Sequence, residues 1–236
     1  MGTTAAPLFP SLRLRQWHGF VLAVFAVVLV ALLLFVIVQP IKVLPRIRLA
    51  PGFALRAADG SVLTSESLRG RFVLYSFTYA GCQAHTCPET DAIMAAVQAH
   101  LPAGRIGEVP LSLVTIVLDP ENATPTALRA YADRVGADPA LWHFVTGDPT
   151  TLKTVVGAGF EVFYEPQADG SYALNPAMFL VDGWGVIRVA YRPVINPPAA
   201  DRILQHLQVL EREVRNSRGV ARLGYEAAHL FLCYAP

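Results

Sequence analysis

The chain has 236 residues, 53% of them hydrophobic, with a formal charge of +1 at pH 7. That length suits one domain of ordinary size with appendages. From Pro51 onward the 14 basic and 18 acidic residues leave a net of −4, which argues against nucleic acid as a partner.

The hydrophobic excess is concentrated near the start. Gly19 to Val38 holds no charged or strongly polar residue, and twenty such residues match a bilayer core of about 30 Å. A secretory signal has a shorter apolar region, about 7–15 residues, with a small-residue cleavage site. Gln39 to Val43 offers no such site, so the sequence predicts an uncleaved anchor at 19–38 behind a short tail at 1–18. Arg13 and Arg15 precede the anchor while Lys42, Arg46 and Arg48 follow it, so the positive-inside count does not decide orientation. Two close cysteines after a single anchor favour a body on the oxidising, non-cytoplasmic side.

Residues 39–50 read as a short basic linker, and 51–216 as the folded domain. Phe53 to Leu63 is a hairpin by its Asp59-Gly60 turn. Arg71 to Tyr79 is rich in aromatic and β-branched residues and reads as a buried strand. A helix follows from Pro88 to Leu101, with Pro88 suited to the first helical position and Glu89 and Asp91 complementing the positive end of its dipole. Leu111 to Leu118 is a second buried strand, too continuously apolar to be half exposed. Asp119 to Pro125 forms a loop and cap before a helix ending near Val135. Leu141 to Thr146 is a third strand, and Pro149 to Val156 a helix. Ala177 to Asp182 and Val186 to Tyr191 are strands joined by the tight Gly183-Trp184-Gly185 turn. Ala199 to Val214 is amphipathic, with Ile203, Leu204, Leu207 and Leu210 on one stripe. Residues 217–236 form the C-terminal tail, in which Leu223 to Tyr234 is apolar but too short to span a membrane and packs on the domain or touches the bilayer surface. The order predicts an α/β fold with a central mixed sheet flanked by helices.

Two of the three cysteines lie between the first buried strand and its helix, Cys82 at the mouth of the strand and Cys87 beside the first helical turn. Unpaired N–H groups and partial positive charge at a helix start favour thiolate over thiol, which makes Cys87 the stronger nucleophile or soft-metal ligand. Two thiolates on one short loop can also close on each other or on Cu(I) or Zn. A small structural disulfide is the plainer alternative. His85 lies inside the loop and either supplies a nitrogen ligand or is a solvated loop residue. Met178 carries a soft thioether but sits in an apolar strand pattern, and His143 follows Trp142 on a strand; both read as core. Asp119 ends a central strand on the side where α/β sheets place their sites. His229 and Cys233 share a helical face in the tail, a weak pair. His18, His100 and His206 have no ligand spacing.

This order, with a cysteine pair at a strand-to-helix junction, resembles the thioredoxin fold. More narrowly it resembles the Sco family of membrane-anchored copper proteins that help assemble the copper A site of cytochrome oxidase. The resemblance lies in Leu68 to Leu74, Phe77-Thr-Tyr79-Ala-Gly-Cys82 and Cys87-Pro88. It continues through Leu118-Asp-Pro-Glu-Asn-Ala-Thr-Pro125 with Leu128 and Tyr131, then Val145-Thr-Gly147 and Phe179-Leu-Val-Asp182. It covers roughly residues 51 to 192, and the single N-terminal anchor matches too. Two departures stand out. The family has three residues between its cysteines, and here there are four, Gln83-Ala-His-Thr86. Its third copper ligand is a histidine just before the strand matching Ala177–Asp182, where this chain has Leu174-Asn175-Pro176.

The resemblance implies an accessory protein that holds Cu(I) at Cys82 and Cys87 and passes it to an oxidase subunit, and His85, from its place in the loop, is the one nearby residue that could add a nitrogen ligand. A thiol–disulfide oxidoreductase that reduces partner cysteines, with Cys82 and Cys87 as its catalytic pair, is the enzymatic alternative. A scaffold whose cysteine pair is only structural is the third.

Overall fold

The computed structural model describes residues 11–38, 42–82, 86–101, 103–193 and 195–231. The first element, α1 (Ser11–Val38), has 28 residues and is about 42 Å long at the usual helical rise. Its described side chains, at 17–31, 33 and 34, are exposed. Among the described residues no helix counts as long and apolar enough to cross a membrane. The anchor expected at 19–38 falls in part outside the described side chains, which exclude 32 and 35–38.

The body begins earlier than the sequence suggests. Residues 43–49, read as linker, are packed: Val43 and Leu44 are fully buried, and β1 (Arg48–Leu49) pairs with a strand near the C-terminal end of the sheet, Arg48 opposite Ile187. The physical reason is a buried cation. Arg188 donates from Nε to the carbonyl of Pro45 and from Nη2 to that of Leu44, which draws the chain across the sheet edge.

Strands β2 (Ala54–Ala57) and β3 (Val62–Thr64) form the expected hairpin. Its turn places Gly60 at φ +89°, which glycine adopts without strain, and the Ser61 N–H donates to Asp59 Oδ1 at 2.9 Å. A 3₁₀ turn at Glu66–Leu68 leads into β4 (Phe72–Thr78), buried at every position. Helix α2 (Thr86–His100) starts two residues before Pro88. Strand β5 (Arg105–Ile106) then makes a small ribbon with β6 (Val109–Val117). Helix α3 (Pro125–Arg134) is capped as its sequence predicts, the Thr124 hydroxyl accepting the Ala127 N–H. After β7 (Trp142–Thr146), α4 (Pro149–Leu152) is a single turn that widens into a π-helical stretch over Lys153–Gly159.

The Asp169-Gly170 turn carries a ribbon that the sequence reading did not resolve. Strands β8 (Tyr164–Pro166) and β9 (Tyr172–Leu174) form a separate two-stranded ribbon around the Asp169-Gly170 turn. Strands β10 (Met178–Val181) and β11 (Val186–Tyr191) follow, then α5 (Ala200–Asn216). The C-terminal stretch read as tail carries α6 (Ala221–Phe231), which packs through Ala228 and Tyr225 on Val43.

The main sheet runs β1-β11-β10-β4-β6-β7-β2-β3. Strands β4, β6 and β7 are parallel and the rest antiparallel, which makes the sheet mixed. Alternation along β4 sends Phe72 and Leu74 to one core with α2, α3 and α5, and Val73, Tyr75 and Phe77 to another with Leu152, Val155 and Phe160. Coverage on both faces explains why β4 and β6 read as unbroken apolar runs. Their C-terminal ends lie side by side, Thr78 opposite Val117, and that end holds the cysteines.

Candidate redox and metal site

Strand β4 stops at Thr78, and the chain turns at once, the Cys82 N–H donating to the Tyr79 carbonyl at 3.0 Å. Cys87 is the second residue of α2. The turn and the helix start bring the two side chains together, and they are joined as a disulfide with a Cα separation of 6.1 Å. Both cysteines are buried. His85 lies outside the described residues, as does Cys233, so neither the proposed nitrogen ligand nor the pair with His229 can be placed.

The pair has a partner the sequence reading missed. Cys82, Cys87 and Tyr79 form one apolar cluster, with Tyr172 and Leu174 of the β8–β9 ribbon packed against it. The Tyr79 and Tyr172 rings lie 5.3 Å apart, and Tyr164 stacks on Tyr172 at 6.5 Å. Aromatic pairs at these separations add about 0.5–1.5 kcal/mol beyond area burial, so the ribbon is held over the disulfide. Leu174 falls at the place where the family resemblance implies a histidine. The sequence signal was the Asp-Gly turn with Tyr on one flank and Tyr-Ala-Leu on the other, the pattern of a hairpin with one apolar face.

Two carboxylates border the site. Asp119, 2% exposed, accepts the Ala80 N–H through Oδ1 at 2.7 Å and the Asn122 amide through Oδ2 at 3.3 Å. Burial raises its pKa above the usual carboxylate range, and the two hydrogen bonds oppose that rise. Burial first, then the negative charges of Asp119 and Glu121, pushes the Tyr172 hydroxyl up. Asp91 sits one helical turn beyond Cys87; its Oδ2 accepts the Tyr131 hydroxyl at 2.7 Å, and that hydroxyl lies 2.9 Å from Thr78 Oγ1. Burial raises Asp91 too, against the Tyr131 hydrogen bond and the Arg134 charge. Its spacing of four from Cys87 on a helix was the overlooked clue.

The remaining candidates lie elsewhere. Met178 is 1% exposed in the helix-covered core, as its apolar setting predicts. His143 is half-buried on β7, its pKa lowered by burial and then by Arg71. His206 packs on Tyr191, with Nδ1 2.7 Å from its hydroxyl, and His229 reaches Glu213 at 3.0 Å. Among the described residues no three histidine, cysteine, aspartate or glutamate side chains converge as a metal-ligand set. Two cysteine sulfurs, once reduced, suit a soft ion content with two ligands.

Residues 43–208 match the model of the SCO1/SenC family. The chain belongs to that family. It is 26% identical over 153 residues to the SCO1 protein homolog of Bacillus subtilis (strain 168), covering 64% of this chain and 77% of that protein. A protein of Stutzerimonas stutzeri named for an inferred binding of copper is 27% identical over 176 residues, 73% of this chain and 82% of its own length. Among solved structures, BsSco superposes with a TM-score of 0.59 at 25% identity, covering 70% of this chain and 94% of that one. That structure describes a disulfide switch in a member of the Sco family of cytochrome c oxidase assembly proteins. The family match and the superposition give the mixed sheet its class: it is the thioredoxin-like Sco fold.

Proposed function

We propose that this SCO1/SenC protein is a membrane-anchored accessory factor that delivers copper to, or readies, the copper A site of a cytochrome oxidase through Cys82 and Cys87. The observation that carries the reading is the pair itself, two sulfurs joined where β4 meets α2, at the open end of the sheet. The inferred copper binding of one relative and the oxidase-assembly role of another support it. The uncharged run at 19–38 within α1 supports an anchor, with the cysteine-bearing body outside the cytoplasm, where a disulfide persists.

The chemistry runs in two states. In the disulfide the sulfurs offer no thiolate. A dithiol reductant supplying two electrons and two protons opens the bond. Cu(I) then replaces the two thiol protons and is held by both sulfurs. Incoming thiolates of the acceptor subunit displace Cys82 and Cys87 one at a time, so that copper is never released to water.

Leu174 favours a second reading. With an apolar side chain against the pair, the site has only two soft ligands among the described residues, which suits thiol–disulfide exchange. In that reaction a thiolate of the reduced pair attacks the partner's disulfide. The second cysteine resolves the mixed disulfide, leaving the partner with two thiols and this chain oxidised.

A strain lacking this protein tests both readings. The account expects its oxidase to lack copper A, the native chain to restore it, and Cys82→Ser/Cys87→Ser to fail. Rescue of the double variant by added copper supports delivery, and rescue by added dithiol supports reduction. Full restoration by the double variant alone contradicts both and leaves a scaffold.

A further inference from the structure

At the end of the sheet opposite the cysteines lies an open groove of about 1080 Å³, lined among others by Arg69, Phe72, Trp184, Val214 and Arg222. Trp184 caps the β10–β11 turn with 78% of its surface exposed. The turn is fixed beneath it. Asp182 Oδ1 accepts the N–H groups of Trp184 and Val186 at 2.9 and 3.0 Å, Gly185 takes φ +78°, and Arg69 donates to the Trp184 carbonyl. Val214 and Arg222 face Trp184 across the groove, and beside them Val220, just before α6, and Leu223, in its first turn, are 86% and 72% exposed. Residues 212–223 carry Arg212, Arg215, Arg218 and Arg222 against a single acid, Glu213, and of the four Arg215 pairs with Glu211 at 3.0 Å. Glu213 is committed inward, to Arg188 at 2.8 Å and His229 at 3.0 Å. Exposed apolar side chains and an indole among outward arginines are the pattern of an interfacial surface.

The tether decides what meets it. Helix α1 ends at Val38 and the body resumes at Lys42, four Cα steps that span at most about 14 Å. Eight steps, at most about 29 Å, reach Arg46, which binds Glu226 of α6 through two hydrogen bonds of 3.0 and 3.1 Å. The segment that holds α6 therefore cannot travel far from the end of α1. We infer that this face, Trp184 with the 212–223 segment, rests on the anionic phospholipid headgroups of the bilayer that α1 enters. The inference rests on the proposed anchor. It also orients the site: β4 runs from Phe72 in the groove to Thr78 near the cysteines, a rise of about 20 Å. The cysteine pair is thereby held away from the bilayer, facing the water-exposed part of a membrane-bound partner.

The test uses the full chain carrying Trp17→Phe, reconstituted in vesicles of phosphatidylcholine with or without phosphatidylglycerol and containing bromine-labelled lipid. Trp142 is buried, and a matched Trp184→Phe chain isolates the Trp184 signal. The proposal expects a blue shift and loss of Trp184 emission that deepen with phosphatidylglycerol. Arg218→Glu/Arg222→Glu should reverse them while the chain still floats with the vesicles after a high-salt wash. A chain that floats but leaves Trp184 unquenched in both compositions overturns the docked face and spares the anchor. A chain washed off the vesicles overturns the anchor and the face with it. Protection of Trp184 in detergent without lipid assigns the face to another copy of the chain and overturns the lipid reading.

Discussion

Asp119, at the end of β6, accepts the backbone N–H of Ala80, two residues before Cys82, at 2.7 Å. The bond ties the loop leaving β4 to the neighbouring strand and so fixes where the first cysteine can sit. Asp119→Ala leaves the Ala80 N–H without that acceptor and should cost about 1–3 kcal/mol, read as a lower urea midpoint. It should also speed reduction of the disulfide by dithiothreitol. Asp119→Asn keeps an acceptor oxygen and should stay close to the native chain in both measurements. Equal behaviour of the two variants would show that the carboxylate does not hold the loop.

Cys87 lies in the first turn of α2 and Cys82 lies before it. The partial positive charge of the helix start favours the thiolate of Cys87. In the reduced chain, alkylation followed against pH should therefore show Cys87 reacting at lower pH than Cys82. The reverse order would mean that burial of Cys87 outweighs the helix end.

Leu174 packs against the disulfide, and apolar carbon offers a cupric ion nothing. If the pair holds Cu(I) as proposed, Leu174→His should add binding of Cu(II), with a new sulfur-to-copper absorption band. His85→Ala should remove whatever cupric binding the native chain has and leave thiol–disulfide exchange intact. Tight Cu(II) binding in the native chain that is indifferent to His85 would point to an unassigned ligand.

His206 is 2% exposed, and burial, with a smaller contribution from Arg202, lowers its pKa from 6.5 to about 4. The folded chain thus keeps the ring neutral down to about pH 4, whereas the unfolded chain takes up a proton near 6.5. The unfolded state binds more protons between those values, so stability is full above the window and falls as pH falls through it, by up to about 1.4 kcal/mol per pH unit. His206→Leu should be less stable at neutral pH, because the Tyr191 hydroxyl loses its partner, yet lose less between pH 6.5 and 4. Parallel melting-temperature curves for the two chains would refute the assignment.

Strands β4 and β6 were legible because burial on both faces leaves a continuous apolar run, and α3 because Thr124 and Pro125 spell its cap and first turn. The Cys82–Cys87 junction followed from those boundaries. The packing of 43–49 was not legible, since it depends on Arg188 reaching two carbonyls some 140 positions away in sequence. The cover of Tyr172 and Leu174 on the cysteines was hidden for the same reason: the Asp169-Gly170 turn marks a hairpin, but nothing local says that it folds over residues some 90 positions away. Long-range contacts, not local propensity, place both.

The central claim is that Cys82 and Cys87 together hold copper. The most direct measurement is a Cu(I) titration of the reduced full chain against a competing chromophoric chelator, beside Cys82→Ser/Cys87→Ser. The account predicts one Cu(I) per native chain, displaced by acceptor thiols, and none in the double variant. Equal Cu(I) binding by both chains, or no binding by either while disulfide exchange remains intact, would contradict it.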